Sequence, residues 1–221
     1  MKPPRHEQIE IAIVEPKRED VTSLCHLLIQ DFGYIYSALF GTDKKMTSSL
    51  LKPILKANGG RHTLGYKSFY IAHPKSTRKE IVGMLKLTSS AERRGKFIST
   101  LSIIRIVLLN LGLRGLFRTW RKWLVIRGVT PKMEANELHI VYIAVSDDAR
   151  NRGVGKQLLE YAKGVAKKEG RQLISLCVRE KNVEAQGFFL SQGFSVEKVV
   201  SDDKADDLLG QGASIRMTAK V

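Results

Sequence analysis

Leu138-His139-Ile140-Val141-Tyr142-Ile143-Ala144-Val145 runs into Ser146-Asp147-Asp148-Ala149-Arg150-Asn151-Arg152-Gly153-Val154-Gly155, and apolar residues then recur at Leu158, Leu159, Ala162, Val165 and Ala166. The first part is strand-like, the last has the three-and-four spacing of a helix buried along one side, and two glycines lie at the join. A strand, a glycine turn and a helix in that order leave the first amide N–H groups of the helix without intrahelical partners. The positive end of the helix dipole sits at the same place, and glycine lets a ligand approach the backbone. The turn is therefore built to hold an anion such as a phosphate. Its candidate residues are Arg150, Asn151, Arg152, Gly153, Val154, Gly155 and Lys156, three of them cationic.

Within the strand, Leu138 and Ile140 are two apart, Ile143 follows after three, and Val145 after two more. Period two broken by one step of three implies an extra residue, a β-bulge near Val141 and Tyr142. The P-loop pattern GxxxxGK[ST] is absent. The dinucleotide pattern GxGxxG fails at its third glycine, where Leu158 stands, and no acid closes a second strand about 20 residues further on. Instead, the segment resembles motif A of the GNAT superfamily of acetyl-CoA-dependent N-acetyltransferases, [Q/R]xxGx[G/A] after an apolar strand, read here as Arg150-xx-Gly153-x-Gly155. Downstream, an apolar strand from Leu173 to Val178 precedes Asn182, Ala185, Phe188, Phe189 and Gly193-Phe194, which is similar to the family's second signature. Phenylalanine stands at 189 where the family has tyrosine.

The resemblance implies an α/β (α+β) fold, in which a central mixed, mostly antiparallel sheet is splayed between two strands and flanked by helices. One domain over residues 1–221 would carry a basic helical insertion at 91–132. Acetyl-CoA is the implied cofactor and no metal is expected. Its pantetheine arm would lie between the parted strands against backbone groups of Ile143, Ala144 and Val145, with Asn182 and Phe189 also in the cofactor set. For Asn182 a plain helix cap is the competing role.

Acetyl transfer to an amine needs the amine deprotonated, the carbonyl oxygen stabilised as it becomes an oxyanion, and a proton for the departing thiolate. A backbone N–H near Val145 is the implied oxyanion donor. Glu137, at the head of the strand, is the candidate base, against the alternative that it is an exposed acid at a strand start; His139 and Tyr142 are its rivals. Phe189 has no proton to give, so Tyr142, Tyr161 or water would protonate the thiolate. The expected activity is direct N-acetyl transfer to an amine-bearing small molecule, protein or peptide. The alternative is a non-catalytic acyl-CoA-binding module, or an adaptor working through its basic insertion.

The chain has 221 residues and a formal charge of +15, an excess that draws polyanions of any sort. No leader-like apolar start and no run of about 18 apolar residues is present, so a cytoplasmic protein is expected. Cys25 and Cys177 are read as buried free thiols. Ile9 to Val14 reads as a first strand, and Asp20 as the N-cap of a helix interrupted by Gly33. A second helix runs through Leu50, Leu51, Ile54 and Leu55. Phe69 to Ala72 and Ile81 to Leu87 form a predicted hairpin with His73 in its solvated loop. Residues 91–132 hold ten cations and one acid, with Ile104, Val107, Leu108, Leu111, Phe117, Trp120 and Leu124 at helical spacing. This reads as one long or two short basic helices jointed at Leu111-Gly112 or Arg114-Gly115. Packing on the domain, docking on an anionic membrane with Trp120 and Trp123 at headgroup level, and contact with nucleic acid, a partner protein or a second copy of the chain all stand as readings. Ser201 to Gly212, with four aspartates, reads as a polar loop before a closing strand from Ala213 to Val221.

Overall fold

The computed structural model describes residues 8–41, 43–77, 80–89, 99–129 and 133–221. Among them run seven strands: β1 (Ile11–Val14), β2 (Tyr70–Pro74), β3 (Gly83–Ser89), β4 (Glu137–Val145), β5 (Leu173–Arg179), β6 (Ser195–Val200) and β7 (Ser214–Lys220). The α-helices are α1 (Val21–Phe40), α2 (Lys44–Lys56), α3 (Ser99–Gly128), α4 (Val154–Lys168), α5 (Val183–Ser191) and α6 (Asp203–Leu209). The strands form one sheet in the order β1-β2-β3-β4-β5-β7-β6, antiparallel throughout except for the parallel neighbours β4 and β5.

Two cores result, one on each face of the sheet. Along α4, Val154, Leu158, Leu159, Ala162 and Ala166 are buried against Ile140, Ile174, Leu176 and Met217, with Phe189 and Phe194 closing that side. On the other face α1, α2 and α3 bury Leu24, Leu28, Leu50, Ile54 and Val107 against Ile71, Met84 and Ala144. Alternation along β4 explains the division, because successive residues point to opposite faces.

The bulge expected from the broken period is present. Lys86 pairs with Tyr142 and Leu87 with Ile140, so Val141 is the extra residue. At the same level the parallel pairing stops: β4 and β5 are joined from Glu137↔Leu173 to Ile140↔Leu176 and no further. Beyond it β4 stays on β3 as far as Val145↔Gly83, while β5 stays on β7 as far as Arg179↔Ser214. An inserted residue sharpens the local twist, which here turns the second half of β4 away from β5.

Several expectations change. His73 lies in β2, buried, with Nδ1 hydrogen-bonded to the Glu80 carbonyl at 2.8 Å, because the hairpin strands extend beyond the predicted limits. Asp20 precedes α1, but its carboxylate accepts from Lys17 N–H instead of capping the helix. The aspartate-rich tail contains α6, whose N-cap Asp202 accepts from Ala205 N–H. The final strand β7 inserts between β5 and β6, leaving β6 at the edge. Cys25 is buried and Cys177 exposed, both free. In the insertion, α3 is continuous apart from Gly112, whose φ of 66° is a conformation that a residue with a side chain rarely adopts. Glu92, Arg93, Arg94, Lys96 and Lys132 fall outside the described residues.

Candidate active site at the parted strands

The wedge between β4 and β5 leaves backbone groups unpaired. Ser146 N–H donates to Val82 O across β3, at 3.0 Å. By strand alternation, Val145 and Ile143 then turn their N–H and C=O towards the opening, whereas Ala144 faces β3 opposite Met84. Of the three residues expected to offer backbone groups, Ala144 is therefore committed to the sheet. The Val145 carbonyl accepts from Gln30 Nε2 at 3.2 Å, and the same nitrogen reaches Asp31 Oδ1 at 3.0 Å.

At the head of the wedge lies the turn before α4. Gly153 is the N-cap with φ of 80°, and Asn151 is also left-handed at 60°. Gln157 N–H closes on Gly153 O, so the preceding amides of Val154, Gly155 and Lys156 have no carbonyl behind them in the helix. These donors and the dipole of a 15-residue helix fit a phosphate group. Arg150 is less free than expected, because its Nη2 lies 2.7 Å from Asp31 and 3.2 Å from Asp147. Gln157 also holds β1, accepting from Ile11 N–H and donating to Ile9 O, while Ile9 N–H donates to Arg152 O.

Glu137 is not where a general base is needed. It is fully buried in the zipped half of β4, with Oε2 2.7 Å and Oε1 3.1 Å from the Arg216 guanidinium. Ser175 Oγ donates to it, as does Glu134 N–H. Burial alone would push the carboxyl up. Hydrogen bonds from His139, Arg216 and Ser175 more than reverse this and hold it well below the usual carboxylate range. A carboxylate so held is a poor proton acceptor near neutral pH, which argues against the base role, and its burial replaces the exposed-acid reading. Glu137→Gln is expected to lower the thermal midpoint while leaving the acid limb of any pH–rate profile in place. Loss of that limb would restore Glu137 as a base.

Tyr142 points to the α1 side of the opening. Phe32 meets it edge-on at 4.6 Å, Phe69 stacks at 6.0 Å, and Tyr36 donates its hydroxyl at 3.3 Å. Burial pushes the Tyr142 phenol up, so it stays protonated at neutral pH. Asn182 caps α5 by accepting from Ala185 N–H. Phe189 is buried edge-on between Phe188 and Phe194. Its neighbour Phe188 lines the turn instead: a Cβ built on Gly155 would lie 3.5 Å from the Phe188 ring and 3.7 Å from Val145.

Sequence reasoning missed Gln30, Asp31 and Tyr36, and named Phe188 only as part of the second signature, without a place in the site. The first three lie on α1 near the break at Phe32, where the helical pattern already faltered at Gly33. Asp31 is the carboxylate that borders the opening, and burial pushes it up against the lowering pull of Gln30 and Arg150. Two surface concavities, one lined by Arg18, Lys56, Arg61 and Lys67 and the other by Glu15, Tyr70, Ser89 and Leu138, lie towards the far end of the sheet from Val145.

Comparison with known proteins gives a consistent result. The profile of the acetyltransferase (GNAT) family matches residues 66–194. An uncharacterized N-acetyltransferase of Methanocaldococcus jannaschii is 38% identical over 69 residues, 31% of this chain and 30% of that protein. The alignment thus spans about a third of the curated relative. A crystal structure described as an acetyltransferase superposes with a TM-score of 0.64 at 17% identity, covering 95% of this chain and 99% of the other. PaiA N-acetyltransferase from Thermoplasma acidophilum, in complex with coenzyme A, gives 0.51 at 17% identity over 96% and 100% of the two chains. At these identities the structures show likeness of fold.

Proposed function

Because this chain belongs to the GNAT acetyltransferase family, we propose that it moves an acetyl group from acetyl-CoA directly to an amine, at the opening between β4 and β5. The observation that carries the reading is the unzipping of two parallel strands beside a helix whose first amides are free. Val154, Gly155 and Lys156 N–H, with Arg152 and Lys156 side chains around them, would hold the pyrophosphate of coenzyme A. Ile143 and Val145 would offer backbone groups to its arm. Acetyl-CoA supplies an acyl group already activated as a thioester.

The chain's part is then to position the reactants and stabilise charge. Val145 N–H is aimed into the opening and serves as oxyanion donor, a group that no side-chain replacement removes. Tyr142, kept protonated by burial, is the proton donor on the acceptor side. No carboxylate needs to be an obligatory base: the neutral fraction of the amine suffices if approximation lowers the barrier by several kcal/mol. Tyr142→Phe is expected to lower kcat by about 100-fold or more with KM for acetyl-CoA unchanged. An unchanged kcat would assign that proton to solvent.

Thiol release from acetyl-CoA in the presence of peptide N-termini, lysine peptides, polyamines and aminoglycosides, with mass detection of the acetylated product, tests the reading. One observation favours a module that binds acyl-CoA without turnover: Phe189, with no hydroxyl, is packed into the core. Binding without thiol release across the panel would decide for the module.

A further inference from the structure

We infer that α3 docks the protein on an anionic lipid surface through an apolar stripe turned away from the domain. Leu113, Phe117, Trp120 and Leu124 follow one another at steps of four, three and four, so they share one face of the helix after the break at Gly112. They are 75%, 58%, 51% and 43% exposed, where a helix packed on a domain shows water its polar side. The opposite face is fixed to α1: Thr119 Oγ1 donates to Leu39 O at 3.2 Å and Lys122 Nζ to Ala38 O at 2.6 Å. The stripe is therefore a projecting ridge on a helix whose orientation is set from behind.

Charge identifies the occupant. From Ser99 to Gly128 the chain has six cations and no acid. Arg114, Arg118 and Arg121 lie to one side of the stripe and Arg127 to the other, with Arg121 over the Phe117 ring at 5.9 Å and Arg127 over Trp123 at 5.2 Å. Apolar residues flanked by arginines and accompanied by tryptophan suit the boundary between acyl chains and negative headgroups. A second copy would oppose six like charges with six more. Nucleic acid matches the charge but leaves the apolar ridge in water. No helix among the described residues is long and apolar enough to cross a membrane, so the contact is peripheral.

The two tryptophans of the chain are Trp120 and Trp123, so tryptophan emission, excited selectively, reports on α3 alone. The full chain is titrated with vesicles of phosphatidylcholine, with and without about one third phosphatidylglycerol, and emission and co-sedimentation are followed. The expected result is a blue shift and co-sedimentation with the anionic vesicles only, weakened at least tenfold by high salt. The double variant Phe117→Glu, Leu124→Glu should abolish both, with an unchanged melting curve because both positions are exposed. Thiol release with soluble amines should be unchanged in the variant, so this inference and the acetyl-transfer reading fail separately. No binding to anionic vesicles, or equal binding by the variant, overturns the proposal. So does self-association that the variant abolishes in a protein that ignores vesicles.

Discussion

Arg216→Ala should destabilise the protein by about 3–5 kcal/mol, the usual consequence of leaving a buried charge without its partner. For a chain of this size that is a drop in the thermal midpoint of roughly ten degrees or more. The cause is Glu137, fully buried and bonded through both oxygens to the guanidinium. The loss measures the stranded carboxylate more than the worth of the pair, so Glu137→Leu combined with Arg216→Met should recover most of it. Acid provides a check of sign. In the wild type the folded pKa of Glu137 is depressed, so its contribution is complete at neutral pH. It begins to fade only as pH falls below the ordinary glutamate value of about 4.3. In Arg216→Ala one lowering cause is lost while the hydrogen bonds from His139, Ser175 and Glu134 N–H remain, so the depression shrinks and the variant should lose less stability on acidification than the wild type. Denaturant unfolding of the three proteins across that range measures both effects. A single variant within about 1 kcal/mol of wild type would refute the account.

Replacing Gly155 by a series of larger residues should separate folding from ligand binding. The position is helical, so Gly155→Ala should leave stability equal or higher by up to about 1 kcal/mol. The new Cβ makes ordinary contacts with Phe188 and Val145. Alanine should also be tolerated by the ligand, as the motif [Q/R]xxGx[G/A] admits it. Gly155→Leu must place three further carbons beside the Phe188 ring and Val145, at the turn that carries the free amides, and its affinity for acetyl-CoA should fall at least about 100-fold, or about 2.7 kcal/mol. Titration calorimetry alongside thermal melts reads both quantities. Wild-type affinity in a folded leucine variant would mean that the ligand does not lie against this turn.

Some of this architecture is legible in the sequence because it depends on local periodicity. The three-residue step between Ile140 and Ile143 announces the bulge, and the spacing from Val154 to Ala166 announces helix α4 behind the glycine turn. Glu137 misleads because its partners Ser175 and Arg216 are 38 and 79 residues away. Nothing local distinguishes an acid at a wet strand end from one in a buried pair. A signal did exist: β7 alternates Ile215, Met217 and Ala219 with Ser214, Arg216 and Thr218, and an arginine at the centre of a strand needs an acid across the sheet. In α6, four aspartates obscured Leu208 and Leu209, and with them a seven-residue helix capped by the first aspartate. Gln30 and Asp31 reach Val145 and Arg150 only through tertiary folding of α1, which no spacing encodes.

Glu137 and Val145 are the first and last residues of one nine-residue strand. That makes β4 a lever, with the bulge as fulcrum: its foot is clamped by ions and its tip sets the width of the slot. Slackening at the foot would be felt at the tip as a loosened grip. Warming should therefore weaken the hold on a thioester substrate before the sheet itself melts, and the upper working temperature would be set by a cluster that never touches what is bound.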